Sequence, residues 1–94
     1  MKNIVSIINF ETSNITNLLI ALKRNKIKFK LTNKNDSLID AKALILPGVG
    51  SFEYAMNYLK RNDLERKIID FYRSGKPIIG ICLGMQIFFH SSAE

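Results

Sequence analysis

Residues 3–8 (NIVSII) form a β-branched, apolar run closed by polar Asn9, the pattern of a buried strand. The pattern then changes period. Ile15, Leu18, Leu19 and Leu22 recur at helical spacing behind Thr12, Ser13 and Asn14, which offer N-cap side chains, so an amphipathic helix is predicted to about Asn25. Ile27, Phe29 and Leu31 alternate with lysines as a second strand, and Asn33 to Ser37 reads as a polar turn. Ala43 to Leu46 (ALIL) is a continuously apolar third strand ended by Pro47-Gly48. Phe52, Ala55, Met56 and Leu59 return to helical spacing as far as about Arg61, where Asn62-Asp63 breaks the helix and Asp63 can cap the next. That next helix has Leu64, Ile68, Phe71 and Tyr72 as its predicted buried stripe, with Gly75 placed to stop it. Pro77 to Ile81 is a fourth apolar strand, and Met85, Ile87, Phe88 and Phe89 begin a further helix.

The predicted order is β-α-β-β-α-α-β-α, with at least three strands apolar throughout. Strands of that kind are buried on both faces, the mark of an open, mostly parallel α/β sheet with helices on each side. Ligands of such sheets bind beyond the carboxyl ends of the strands. Three loops are thereby expected at one end: Asn9 to Asn14, Pro47 to Ser51, and Ile81 to Gly84.

Composition narrows the field. Ninety-four residues, 47% hydrophobic and 23% charged, fit one small globular domain with a thin stability margin. No apolar stretch approaches the roughly 20 residues needed to span a bilayer, and the N-terminal run lacks a small-residue cleavage site, so it reads as a strand and not a signal peptide. The net charge of +6 raises nucleic acid as a partner. Most of the excess is Lys23, Arg24, Lys26, Lys28, Lys30 and Lys34, on and around the second strand, where lysine also deters edge-to-edge pairing. The expected reading is therefore a solvated edge strand, with no nucleic acid and no membrane partner. The single cysteine excludes an internal disulfide and an all-cysteine metal site, and suits a reducing, cytoplasmic setting. No metal and no cofactor is expected, and no G-x-G-x-x-G or P-loop spacing follows any strand.

That cysteine, Cys82, lies in GICLG (80–84) at the predicted strand-to-helix junction. Glycines at Gly80 and Gly84 let strand and helix pass closely on a sharp turn, the geometry of a nucleophile elbow. With glycine at about 7% of residues, a cysteine is flanked this way by chance in roughly one case in 200. A thiol near a helix N-terminus is favoured as thiolate, and the Leu83 amide can face a developing oxyanion. The alternative is an inert core thiol, the usual state of a buried cysteine. LPGVG (46–50) ends the neighbouring strand, where Gly48 frees the backbone and the Val49 or Gly50 amide offers a second oxyanion donor. A cysteine nucleophile needs a base, and the sole histidine, His90, lies eight residues along the same predicted helix. At 1.5 Å per residue that is on the order of 10 Å, out of reach of the sulfur.

LILPGVGSFEYAM (44–56) and GKPIIGICLGMQIFF (75–89) resemble the two hallmark stretches of class I, triad-type glutamine amidotransferases, within them the glutaminases of histidine biosynthesis. The resemblance implies a flavodoxin-like fold, with residues 1–94 as the N-terminal half of a single domain. It implies Cys82 as nucleophile on the side-chain amide of L-glutamine, Val49, Gly50 and Leu83 as oxyanion donors, and Gln86 holding the substrate. It further implies a heterodimer with a (β/α)8-barrel synthase that takes the ammonia and makes imidazole glycerol phosphate. The family's histidine and glutamate fall in a later half that this chain lacks, as a fragment or a truncation would. The family's first loop reads Asp-Tyr-Gly-x-Gly-Asn; here NFETSN (9–14) keeps Asn14 and the aromatic at Phe10. Two alternatives stay open: a paralogue supplying ammonia to another sugar or nucleotide amination, and a non-catalytic remnant.

Overall fold

The structure is a computed structural model that describes residues 3–10, 15–32, 37–48 and 52–80. Its elements are β1 (Val5–Ile8), α1 (Thr16–Arg24), β2 (Phe29–Thr32), β3 (Ala43–Leu46), α2 (Phe52–Arg61), α3 (Glu65–Arg73) and β4 (Ile78–Gly80). The four strands form one sheet in the order β2-β1-β3-β4, and every pairing is parallel. This is the open parallel α/β sheet expected from the apolar runs.

Side-chain alternation divides the core in two. Val5, Ile7 and Ile45 face α1 and pack with Leu22, supported by Leu18, Leu19, Ile27 and Phe29. Ile8, Leu44 and Leu46 face the other way, onto Ala55, Met56 and Leu59 of α2 and Leu64, Ile68 and Phe71 around α3. β1 and β3 are thus covered on both faces, which is why their sequences carry no polar alternation. β2 is an edge strand with Lys28 and Lys30 exposed, as its lysines suggest.

Several expectations need correction. Tyr72 is 48% exposed and does not join the α3 stripe. Leu64, Ile68 and Phe71 span a narrow arc at 100° per residue, and Tyr72 falls at its rim. The fourth strand is not buried throughout either: Ile79 is 51% exposed, on the face that α1 covers only over the neighbouring strands.

Helix ends follow a common device. Lys26 (φ 57°) ends α1 with Lys26 N–H donating to the Lys23 carbonyl and Ile27 N–H to the Leu22 carbonyl, at 3.0 and 2.9 Å. Asp63 (φ 55°) ends α2 in the same way through Lys60 and Leu59. Both are Schellman turns whose next residue, Ile27 or Leu64, drops into the core. Asp63 therefore terminates α2 and does not cap α3, whose N-cap is Leu64 with no side-chain cap bond. α1 likewise starts from Ile15 with no side-chain cap bond; the proposed caps Thr12, Ser13 and Asn14 lie outside the described residues. Gly75 (φ 85°) stops α3 as expected. Beyond it, Lys76 Nζ donates to the carbonyls of Ile39 and Ala41 and sits 5.0 Å over the Phe71 ring, tying segment 37–41 to the start of β4.

Candidate active site

Because the strands are parallel, all their carboxyl ends lie along one edge of the sheet. From β1 the chain moves to β2 on one side; from β3 it moves to β4 on the other. The direction reverses between β1 and β3, and a reversal of this kind opens a crevice at the carboxyl edge. Asn9 and Phe10 leave β1 on one side of that crevice. Pro47 and Gly48 leave β3 on the other, Pro47 buried and Gly48 half-buried.

The register places Leu46 opposite Gly80 on the neighbouring strand β4. The last residue before Pro47-Gly48 and the first glycine of the GICLG stretch are therefore level with each other. Of the residues singled out from sequence, Gly48 and Gly80 are brought to adjacent strand ends. Cys82, Leu83, Gly84, Gln86, Val49, Gly50, Asn14 and His90 lie outside the described residues.

Phe10 is fully buried, its ring 5.5 Å from that of Tyr58 and tilted by 60°. Its carbonyl accepts a 2.8 Å hydrogen bond from the Tyr54 hydroxyl, on the first turns of α2. Tyr54 and Tyr58 stand one helical turn apart with their rings 6.2 Å from one another. Neither tyrosine belongs to the stripe read from sequence; the available signal was an aromatic pair at i, i+4 just after the Pro-Gly loop, facing an aromatic just after β1.

A cavity of about 270 Å³ lies elsewhere, between segment 37–39 and the end of α3, lined by Ser37, Leu38, Ile39, Lys67, Asp70 and Phe71. It is at the amino edge of the sheet, the wrong end for this crevice. Among the described residues, no cluster of three histidine, cysteine or carboxylate side chains could hold a metal, and no helix is long and apolar enough to cross a membrane.

A model of the CobB/CobQ-like glutamine amidotransferase domain matches residues 3–93. The chain belongs to the glutamine amidotransferase family. Its similarity to curated members of that family runs almost end to end. The imidazole glycerol phosphate synthase subunit HisH of Trichormus variabilis is 43% identical over 91 residues, covering 97% of this chain and 43% of the relative. The HisH of Lactiplantibacillus plantarum is 44% identical over 89 residues, 95% of this chain and 43% of that one. The HisH of Rhodopirellula baltica is 38% identical over 90 residues, 96% and 44% respectively. The chain thus spans less than half the length of these relatives. Among solved structures, PurLQS from Thermotoga maritima superposes with a TM-score of 0.76 at 27% identity, over 97% of this chain and 45% of that one. The open parallel sheet is the class I glutamine amidotransferase fold.

Proposed function

We propose that this chain is the N-terminal half of a single glutaminase domain. The glutaminase releases ammonia from L-glutamine for a (β/α)8-barrel synthase that makes imidazole glycerol phosphate in histidine biosynthesis. The observation that carries the reading is the Leu46–Gly80 register. It sets the ends of β3 and β4 level, one running on into PGVG and the other into the cysteine-bearing GICLG. The HisH similarity over nearly the whole chain supports the histidine-pathway branch over others in the family.

In this mechanism the Cys82 thiolate attacks the side-chain amide carbon of glutamine, forming a C–S bond and a tetrahedral oxyanion. The Leu83 amide and an amide from Val49 or Gly50 donate to that oxygen, where charge develops. Gly48 frees the backbone of the Pro-Gly loop, and Gly80 and Gly84 let strand and helix pass closely at the elbow. The C–N bond then breaks, the nitrogen takes a proton and leaves as ammonia, and water cleaves the thioester to glutamate. Gln86 holds the substrate, and Asn14 serves the loop beside the crevice. The proton is carried by a histidine–carboxylate pair supplied from outside residues 1–94, because on the helix expected from sequence His90 would stand on the order of 10 Å from Cys82. The reaction needs no metal or cofactor, and a cytoplasmic setting suits the free thiol.

The test is to quench the full-length protein during turnover and seek a glutamyl adduct on the Cys82 peptide by mass spectrometry. An adduct is expected; turnover with an adduct on another residue, or with none under conditions that trap thioesters, contradicts the mechanism.

The first loop favours a second reading of the acceptor alone. Glu11 and Ser13 stand where the family has glycines, which restricts backbone freedom beside the crevice. On that reading the ammonia feeds another sugar or nucleotide amination. Supplying the barrel synthase and measuring imidazole glycerol phosphate separates the two.

A further inference from the structure

The crevice at the β1/β3 reversal has two sides, one leaving each strand, and among the described residues a side-chain hydrogen bond from α2 links them. Tyr54 belongs to the wall that follows β3. Its hydroxyl donates to the carbonyl of Phe10, in the wall that follows β1, at 2.8 Å across 44 residues of sequence. The contact is partly buried, where a neutral hydrogen bond meets less competition from water than at the open surface. Phe10 is held a second time by its ring, fully buried against Tyr58 at 5.5 Å. The residue that leads into the first loop is therefore fastened through both its backbone and its side chain to the helix that leads out of the Pro-Gly loop. Thr32 secures β1 from the other side, its carbonyl accepting the Asn9 N–H at 3.0 Å. The β1 exit is thus tied on both flanks, and Tyr54 makes the side-chain hydrogen bond that fastens it to α2.

We propose that Tyr54 is a positioning residue that sets the width of the β1/β3 crevice, and with it the fit of the glutamine side chain. The inference rests on reading this crevice as the glutamine site. Tyr54 touches neither substrate nor nucleophile in this role; it acts through Phe10. Reaction geometry is sensitive to displacements of the order of 1 Å, so a tether that fixes one wall against the other affects recognition without altering the fold.

The experiment compares two alkylation rates at Cys82 in the full-length protein as its gene encodes it, with the modified peptide identified by mass spectrometry. One reagent is a chloroketone analogue of glutamine, which must be recognised before it reacts; the other is iodoacetamide, which reports thiol reactivity alone. Tyr54→Phe removes the hydroxyl and keeps the ring. It is expected to lower the ratio of the two rates by about 3- to 10-fold, the span of one lost neutral hydrogen bond. The iodoacetamide rate should stay within about twofold of wild type. Tyr54→Leu, which loses the ring as well, should lower the ratio at least as far. A wild-type preference for the glutamine analogue that Tyr54→Phe retains within twofold overturns this inference alone. So does a fall seen only with Tyr54→Leu, because ring packing would then be the cause. A wild-type protein with no preference for the analogue overturns the glutaminase reading, and this inference with it.

Discussion

Truncating Phe10 to alanine tests how the carboxyl end of the sheet is held. The ring is fully buried against Tyr58, in one core cluster with Ile8, Leu46 and Ala55, residues that come from three different elements. Phe→Ala at such a site costs about 3–5 kcal/mol, the transfer of the ring plus the cavity it leaves. At roughly 0.05–0.15 kcal/mol each, these 94 residues account for about 5–14 kcal/mol of stability, so the change removes about a fifth of that share or more. Phe10→Leu keeps most of the apolar volume and loses the tilted ring pair with Tyr58, for about 1–1.5 kcal/mol. Urea unfolding at 25 °C reads both. With a slope of about 2 kcal/mol/M, the alanine variant should lose about 2 M from its midpoint and the leucine variant under 1 M. An alanine variant within about 0.5 kcal/mol of wild type refutes the packing argument. So does a leucine variant as damaged as the alanine one, because the site would then depend on something other than filled volume.

Helix ends supply a matched pair. Gly75→Ala places a Cβ at φ 85° with no heavy atom within 4 Å, so only backbone strain opposes it, and a loss of about 1 kcal/mol is expected in the same urea assay. Lys26→Gly, at φ 57°, relieves the same strain and should raise stability by about 0.5–1 kcal/mol. Lys76→Met keeps the aliphatic stem but loses the bonds to the Ile39 and Ala41 carbonyls and the contact with Phe71. A loss of about 1–2 kcal/mol is expected, with faster amide exchange at segment 37–41 than elsewhere, read by hydrogen–deuterium mass spectrometry.

The features legible in the sequence were those set by periodicity and special backbone residues. ALIL and NIVSII announce strands covered on two faces, and Gly75 announces a left-handed stop. What escaped was decided by tertiary packing. Lys26 and Asp63 take left-handed conformations because Ile27 and Leu64 must return at once to the core, and no local signal marks a lysine for that task. Tyr58 lies off the stripe of Ala55, Met56 and Leu59, yet is buried because Phe10 extends the core around that flank of α2. Ile79 reads as core and is half open, since a strand's second face depends on a neighbour that its own residues do not encode. Of the motif residues, Gly48 and Gly80 lie at the ends of neighbouring strands. The Tyr54–Phe10 bond, spanning 44 residues, has no signature in either segment alone.

The central claim is that the thiol of Cys82 is the nucleophile of a glutaminase. Glutamate release from L-glutamine by the full-length protein with its synthase partner, compared between wild type and Cys82→Ala, tests it most directly. The account predicts a loss of at least about 10³-fold in kcat with the fold intact, as removal of a covalent nucleophile produces. Glutamate release by the Cys82→Ala protein at a rate near that of wild type would contradict it.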